Sequence, residues 1–163
     1  MKIVNLRVNG VGQAFIARPG TTLLLALREQ LGLTGAKRGC AQGACGSCTV
    51  LLDGQPVVSC LVPAVTVDGA EVATIEGLAD GQVLSDVQQA FLDGFATQCG
   101  FCTPGMIMSA EALLDRNPDP TRDEVNEAIS GNVCRCTGYE PIVSAILDAA
   151  ARRRSRASEG AKI

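Results

Sequence analysis

Val4, Leu6 and Val8 alternate with Asn5 and Arg7, a period of two that predicts a strand with one buried face. Asn9-Gly10 is a hairpin-turn signal, and Gln13 to Ala17 is expected to return as a second strand. Pro19-Gly20 breaks the alternation. Thr21 or Thr22 then caps a helix carrying Leu23, Leu24, Leu27 and Leu31, which stops at Gly32. Beyond a stretch rich in cysteine and glycine, Thr49 to Leu52 and Gln55 to Val58 form a strand pair around Asp53-Gly54, and Glu71 to Ile75 is a last strand. Together these make a small mixed sheet packed on a helix. A β-grasp topology fits them, although the pattern alone does not choose it.

The apolar period changes near Gln82. Ser85 can cap a helix through Val87, Ala90, Phe91 and Leu92 that ends at Gly94. Thr103-Pro104 opens another, with Met106, Ile107, Ala110, Leu113 and Leu114 on its apolar face, and Asn117-Pro118 ends it. Thr121-Arg122-Asp123-Glu124 is a capping box that starts a third helix through Val125, Ala128 and Ile129, closed by Gly131. Pro141 starts a fourth through Ile142, Ala145, Ile146 and Ala149. Four short helices with short connections read as a bundle. The expected organisation is α+β: one domain over residues 1–76, a helical domain over 82–155, and a basic tail over 156–163. The run Arg152-Arg153-Arg154-Ser155-Arg156 is expected to be a solvated helix end followed by fraying chain.

Composition narrows the chemistry. The 163 residues include no Trp, one Tyr and four Phe, so each core must be mostly aliphatic, and metal sites would help two such small domains hold together. Mean hydropathy is slightly positive, which points to apolar surface covered by a partner. There is no histidine. That excludes a Rieske centre, a Cys2His2 zinc finger, His-ligated haem and any imidazole base. The formal charge of −3 and the lack of a basic stripe interleaved with aromatics do not suit a nucleic-acid binder. No signal-like or membrane-spanning segment is expected, which places the chain in a reducing cytoplasm. There, eight cysteines are metal ligands more often than disulfides.

The first cysteine group is Gly39-Cys40-Ala41-Gln42-Gly43-Ala44-Cys45-Gly46-Ser47-Cys48, followed by Cys60. This spacing is the plant-type ferredoxin arrangement for a [2Fe–2S] cluster. Four thiolates must converge on two irons while backbone N–H groups point at sulfur, which a glycine-rich loop permits and a helix or strand does not. Two such clusters would each add about −2 to the charge, for about −7 in all. The second group is Cys99-Gly100-Phe101-Cys102 with Cys134-Arg135-Cys136. As a pattern it leaves an iron–sulfur cluster and a four-thiolate zinc site both open, while the missing βαβ context weighs against thioredoxin-like chemistry.

Three segments carry a resemblance: Gly39 to Val50, Thr97 to Met106, and Gly131-Asn132-Val133-Cys134-Arg135-Cys136-Thr137-Gly138-Tyr139. Over roughly Lys2 to Ala150 the chain resembles the iron–sulfur subunit of molybdenum hydroxylases, the xanthine dehydrogenase/aldehyde oxidoreductase family. The resemblance implies that Cys40, Cys45, Cys48 and Cys60 hold one [2Fe–2S] cluster in a ferredoxin-like β-grasp domain. It implies that Cys99, Cys102, Cys134 and Cys136 hold a second in a four-helix domain. Gln98 and Cys136 would lie beside the molybdopterin of a large partner subunit, and the first cluster would face the FAD of a medium subunit.

So placed, the chain has no catalytic residue of its own. It relays single electrons from the molybdopterin centre to FAD during water-dependent hydroxylation of a heterocycle, purine or aldehyde. The same relay run in reverse, as in a 4-hydroxybenzoyl-CoA reductase type of enzyme, and a stand-alone ferredoxin-like carrier are the alternatives. Substrate identity belongs to the large subunit.

Overall fold

A computed structural model describes residues 1–160. Its first half is a five-stranded sheet: β1 (Lys2–Val8), β2 (Val11–Ala17), β3 (Thr49–Leu52), β4 (Gln55–Val58) and β5 (Glu71–Ala73), in the order β2-β1-β5-β3-β4. The two hairpins are antiparallel, and β5 joins them, parallel to β1 and antiparallel to β3. Their turns need left-handed backbone, which Asn9-Gly10 (φ 51° and 77°) and Asp53-Gly54 (φ 48° and 79°) supply. Val4, Leu6 and Val8 turn inward with Phe15 and Ala17, as the alternation requires, and meet Leu23, Leu24 and Leu27 in an aliphatic core. This is the expected β-grasp, with one helix laid across a mixed sheet.

Details of that half differ from expectation. The second strand begins at Val11, two residues early, because the tight Asn9-Gly10 turn leaves Val11 paired with Val8. The helix is capped by Thr22, whose hydroxyl accepts from the Leu25 amide, but only α1 (Leu23–Leu25) is α-helical. Ala26–Gln30 continues with π-helical winding, in which the Leu31 amide reaches back to the Ala26 carbonyl. The last strand stops at Ala73, and Ile75–Gly77 forms a 3-10 turn.

The second half contains the four expected helices: α2 (Asp86–Asp93), α3 (Thr103–Arg116), α4 (Arg122–Ile129) and α5 (Glu140–Gly160). Ser85 with Gln88 and Thr121 with Glu124 form capping boxes at the starts of α2 and α4. Phe91, Met106, Ile142 and Ile146 lie in one core shared by these helices and are each 2% exposed or less. Burying each such side chain contributes about 1.5–3 kcal/mol before entropy is counted.

The arginine run lies on a helix, as expected, but its guanidiniums are ion-paired rather than simply solvated. α5 continues to Gly160, past the expected end at residue 155, and residues 161–163 of the expected tail lie outside the described residues. Arg153 pairs with Glu111, Asp115 and Asp86; Arg152 pairs with Asp93 and Asp148; Arg154 pairs with Asp119; and Arg156 pairs with Asp86. Carboxylates on three neighbouring elements thus hold the helix down. Distances in sequence between Arg153 and its partners hid this from a reading of local pattern.

The two halves pack on one another. α3 lies against β3, where Leu51, Met108 and Ala112 form a small third core with Ala73, Ile75 and Leu78 from the connecting segment. The connection is therefore part of the packing. It brings the two cysteine-bearing regions to a common boundary.

Candidate iron–sulfur sites

The first loop is folded around the Cys40 sulfur. Ala41 (φ 55°), Gly43 (φ 80°) and Gly46 (φ 68°) take left-handed conformations that wind the chain tightly. The amides of Gln42 and Ala44 consequently aim at Cys40 Sγ, at 3.5 and 3.2 Å. Donation from the Gln42 amide, with the neighbouring donors, pulls the Cys40 thiol down to about 6, against some opposing burial. A loop that stabilises thiolate in this way suits iron ligation. Cys48 and Cys60 sit deeper, at 3% and 7% exposure, and burial pushes the Cys48 thiol up to about 11.

In the second group, Cys99 and Cys102 lead into α3, while Cys134 and Cys136 lie in the loop between α4 and α5. Sγ of Cys136 is 3.5 Å from Sγ of Cys99. The Phe101 amide holds the Cys99 thiol below its ordinary value, and burial pushes Cys102 up to about 12. Cys134 is opposed by burial, but the Thr137 hydroxyl and amide outweigh it and lower the thiol. The Cys134 amide itself donates to the Tyr139 hydroxyl at 2.8 Å. Ser47, Phe101, Val133 and four cysteines line a cavity of about 140 Å³.

Among the described residues no three ligating side chains gather on a single metal ion. The thiols lie close together within each group: Cys40 is beside Cys45 and Cys48 beside Cys60 in the first, while in the second Cys99 neighbours Cys136, and Cys134 lies near Cys102, Cys99 and Cys136. A two-iron cluster takes four thiolates, two for each iron, so each group offers the donor set that such a cluster needs. The residues fit the group.

The two sites touch. The Val133 amide donates to the Cys45 carbonyl at 2.9 Å, and Phe101 packs near Gly39. Asn132, 4% exposed, reaches from the second loop to the Gly46 carbonyl in the first. Neither Asn132 nor Tyr139 was singled out by sequence reasoning. Their motif was legible, but its role depends on partners 86 residues away in one case and five in the other.

Gln98 is exposed, immediately before Cys99 of the second group. Phe101 and Val133, which line the cavity beside these cysteines, are also exposed, at 47% and 52%, so the mouth of the second site is apolar as well as rich in sulfur. Cys99 and Cys136 are the outermost thiols.

The fold sets two groups of cysteines side by side, and comparison with known proteins places the chain among iron–sulfur proteins. Residues 6–85 match the 2Fe-2S iron-sulfur cluster binding domain, and residues 74–147 match the [2Fe-2S] binding domain. The nicotinate dehydrogenase small FeS subunit of Eubacterium barkeri is 49% identical over 143 residues, spanning 88% of this chain and 91% of that one. The nicotine 6-hydroxylase small subunit of Paenarthrobacter nicotinovorans is 51% identical over 146 residues, covering 90% and 88% respectively. The crystal structure of quinoline 2-oxidoreductase from Pseudomonas putida 86 superposes with a TM-score of 0.91 at 49% identity, covering 95% of this chain and 96% of that one. The chain belongs to the family of small iron–sulfur subunits of molybdenum hydroxylases.

Proposed function

We propose that this chain is the electron-relay subunit of a cytoplasmic molybdenum hydroxylase complex. Cys40, Cys45, Cys48 and Cys60 hold one [2Fe–2S] cluster, and Cys99, Cys102, Cys134 and Cys136 hold the other. Each cluster, when bound, takes up and releases one electron at a time. The observation that carries this reading is the gathering of eight thiols into two groups whose loops adjoin through Val133 and Cys45, with amides aimed at the Cys40 sulfur and the Cys99 and Cys136 sulfurs 3.5 Å apart.

The chain's own residues do four things in this scheme. The cysteines bind. The Gln42, Ala44 and Phe101 amides place positive dipoles against sulfur, which favours the reduced state when a cluster gains charge. Aliphatic burial around Cys48 and Cys60 keeps water from the inner sulfurs. Gln98 and Cys136 contact molybdopterin in a large subunit, which their exposure to solvent supports. With clusters bound, the two cysteine groups would pass electrons singly, the second group facing molybdopterin in the large subunit and the first facing FAD in a medium subunit.

The reaction so served is water-dependent hydroxylation. A nitrogen heterocycle is the favoured substrate class, because the relatives named for nicotinate, nicotine and quinoline share about half of this chain's residues. The test is rapid freeze-quench EPR of the purified complex mixed with substrate. Gln98→Ala should slow appearance of the reduced second-site signal several-fold while leaving both clusters loaded. Unchanged kinetics would remove Gln98 from the molybdopterin contact.

A further inference from the structure

Asn132 stands between the two sites and belongs to neither ligand set. Its side chain is buried and its four hydrogen-bonding partners are all within the protein. Ser109 Oγ on α3 donates to Oδ1 at 2.8 Å, while Nδ2 donates to the Gly46 carbonyl at 3.0 Å and to Thr49 Oγ1 at 3.4 Å. Its backbone amide donates to Ile129 O at 2.8 Å, anchoring it to the end of α4. Chemistry fixes which way the amide points. The Gly46 carbonyl can only accept, so it must face the NH2 group, and the Ser109 hydroxyl must then donate to the oxygen. The Thr49 hydroxyl gives its proton to Gly46 O at 2.7 Å and has a lone pair left for Asn132.

Two consecutive carbonyls of the first loop are therefore gripped from two consecutive residues of the second. Cys45 O accepts from the Val133 amide, and Gly46 O accepts from Asn132. One bond would fix a distance and leave a swivel. Two neighbouring bonds fix orientation as well. Close packing leaves no slack, since a Cβ at Gly105 on α3 would stand 2.3 Å from Gly46 O, and one at Gly46 would stand 2.4 Å from Gly131 O.

We infer that Asn132 is a positioning residue for electron transfer between the two sites. It holds the Cys45–Gly46 segment against Val133–Cys134, so that separation and relative orientation of the clusters are set by its amide. Ser109 aims that amide from α3. The inference rests on the two-cluster reading. When an electron crosses, the cluster bound by Cys99, Cys102, Cys134 and Cys136 is oxidised by one electron and its neighbour is reduced by one, with no bond made or broken.

The test is the magnetic interaction between the two reduced clusters in the full chain, read as splitting in low-temperature EPR. Asn132→Asp keeps size and the bond from Ser109 but sets an acceptor against the Gly46 carbonyl. Both signals should persist with altered splitting, and photochemically triggered transfer between clusters should slow several-fold. Both signals with native splitting and native transfer would overturn the inference. If Asn132→Asp fails to load, Ser109→Ala decides. That variant leaves every loop residue in place, and a native splitting there would also overturn it. A wild-type chain with only one signal would instead remove the two-cluster reading itself.

Discussion

The amide of Val133 donates to the carbonyl of Cys45 across 2.9 Å, joining, over 88 positions, a cysteine of the first group to the neighbour of Cys134 in the second. Val133 shows half its surface to solvent, yet its amide is tied down. In the cluster-loaded chain this amide should therefore exchange with deuterium as slowly as amides in the strands of the sheet. Exchange at the rate of an exposed loop would mean that the two loops separate in solution.

Glycine at the boundary is a packing requirement. Gly105→Ala should lower stability by about 1–3 kcal/mol through overpacking against the Gly46 carbonyl. Gly46→Ala should cost more, adding a left-handed backbone penalty of about 1–2 kcal/mol. Gly54→Ala, whose Cβ would meet open space, should show only the backbone penalty. Chemical denaturation midpoints of the three variants check the order.

The arginines of α5 should separate into two classes. Arg153→Ala leaves Glu111, 5% exposed, with only the Ser85 hydroxyl, and should cost about 3 kcal/mol. Arg152→Ala breaks pairs with Asp93 and Asp148 that lie in solvent, and should cost about 1 kcal/mol or less. Thermal unfolding of the two variants at low and high salt measures both, with salt dependence confined to Arg152.

The capping box of α4 should contribute to acid sensitivity. The Thr121 amide, and then its hydroxyl, hold the Glu124 carboxyl below its ordinary value of 4.5. A depressed folded-state value stabilises above the unfolded value, and that stabilisation fades as pH falls through 4.5 and on through the folded value. Glu124→Gln, which retains an acceptor, should flatten this part of the stability profile measured between pH 6 and about 3. An unchanged acid limb would assign it to other carboxylates.

Local chemistry was legible in the chain and long-range chemistry was not. Asp53-Gly54, Ser85 with Gln88, and Thr121 with Glu124 act within three residues, so hairpin and caps could be read directly. The spacing of the first cysteine group was legible because Cys40, Cys45 and Cys48 share one loop and the Asp53-Gly54 hairpin returns the chain to Cys60. The second was ambiguous as a pattern because its halves lie on either side of α3 and α4, and only the fold brings Cys99 to Cys136. The π-helical winding after Leu25 has no sequence signature in the leucine spacing, which α and π turns both accommodate. Arg153 looked solvated because Glu111, Asp115 and Asp86 are far off in sequence. Asn132 stood in plain view in its motif, but its partner at Gly46 could not be inferred from the second loop alone.

Both cysteine groups should hold [2Fe–2S] clusters. The most direct test is EPR of the dithionite-reduced chain, with spins integrated against iron and sulfide content. Two distinguishable signals summing to about two spins, with about four irons and four sulfides, are predicted. Cys48→Ser should remove one signal and Cys134→Ser the other. A single signal in the native chain, or zinc held by either set of four thiols, would rule out two clusters.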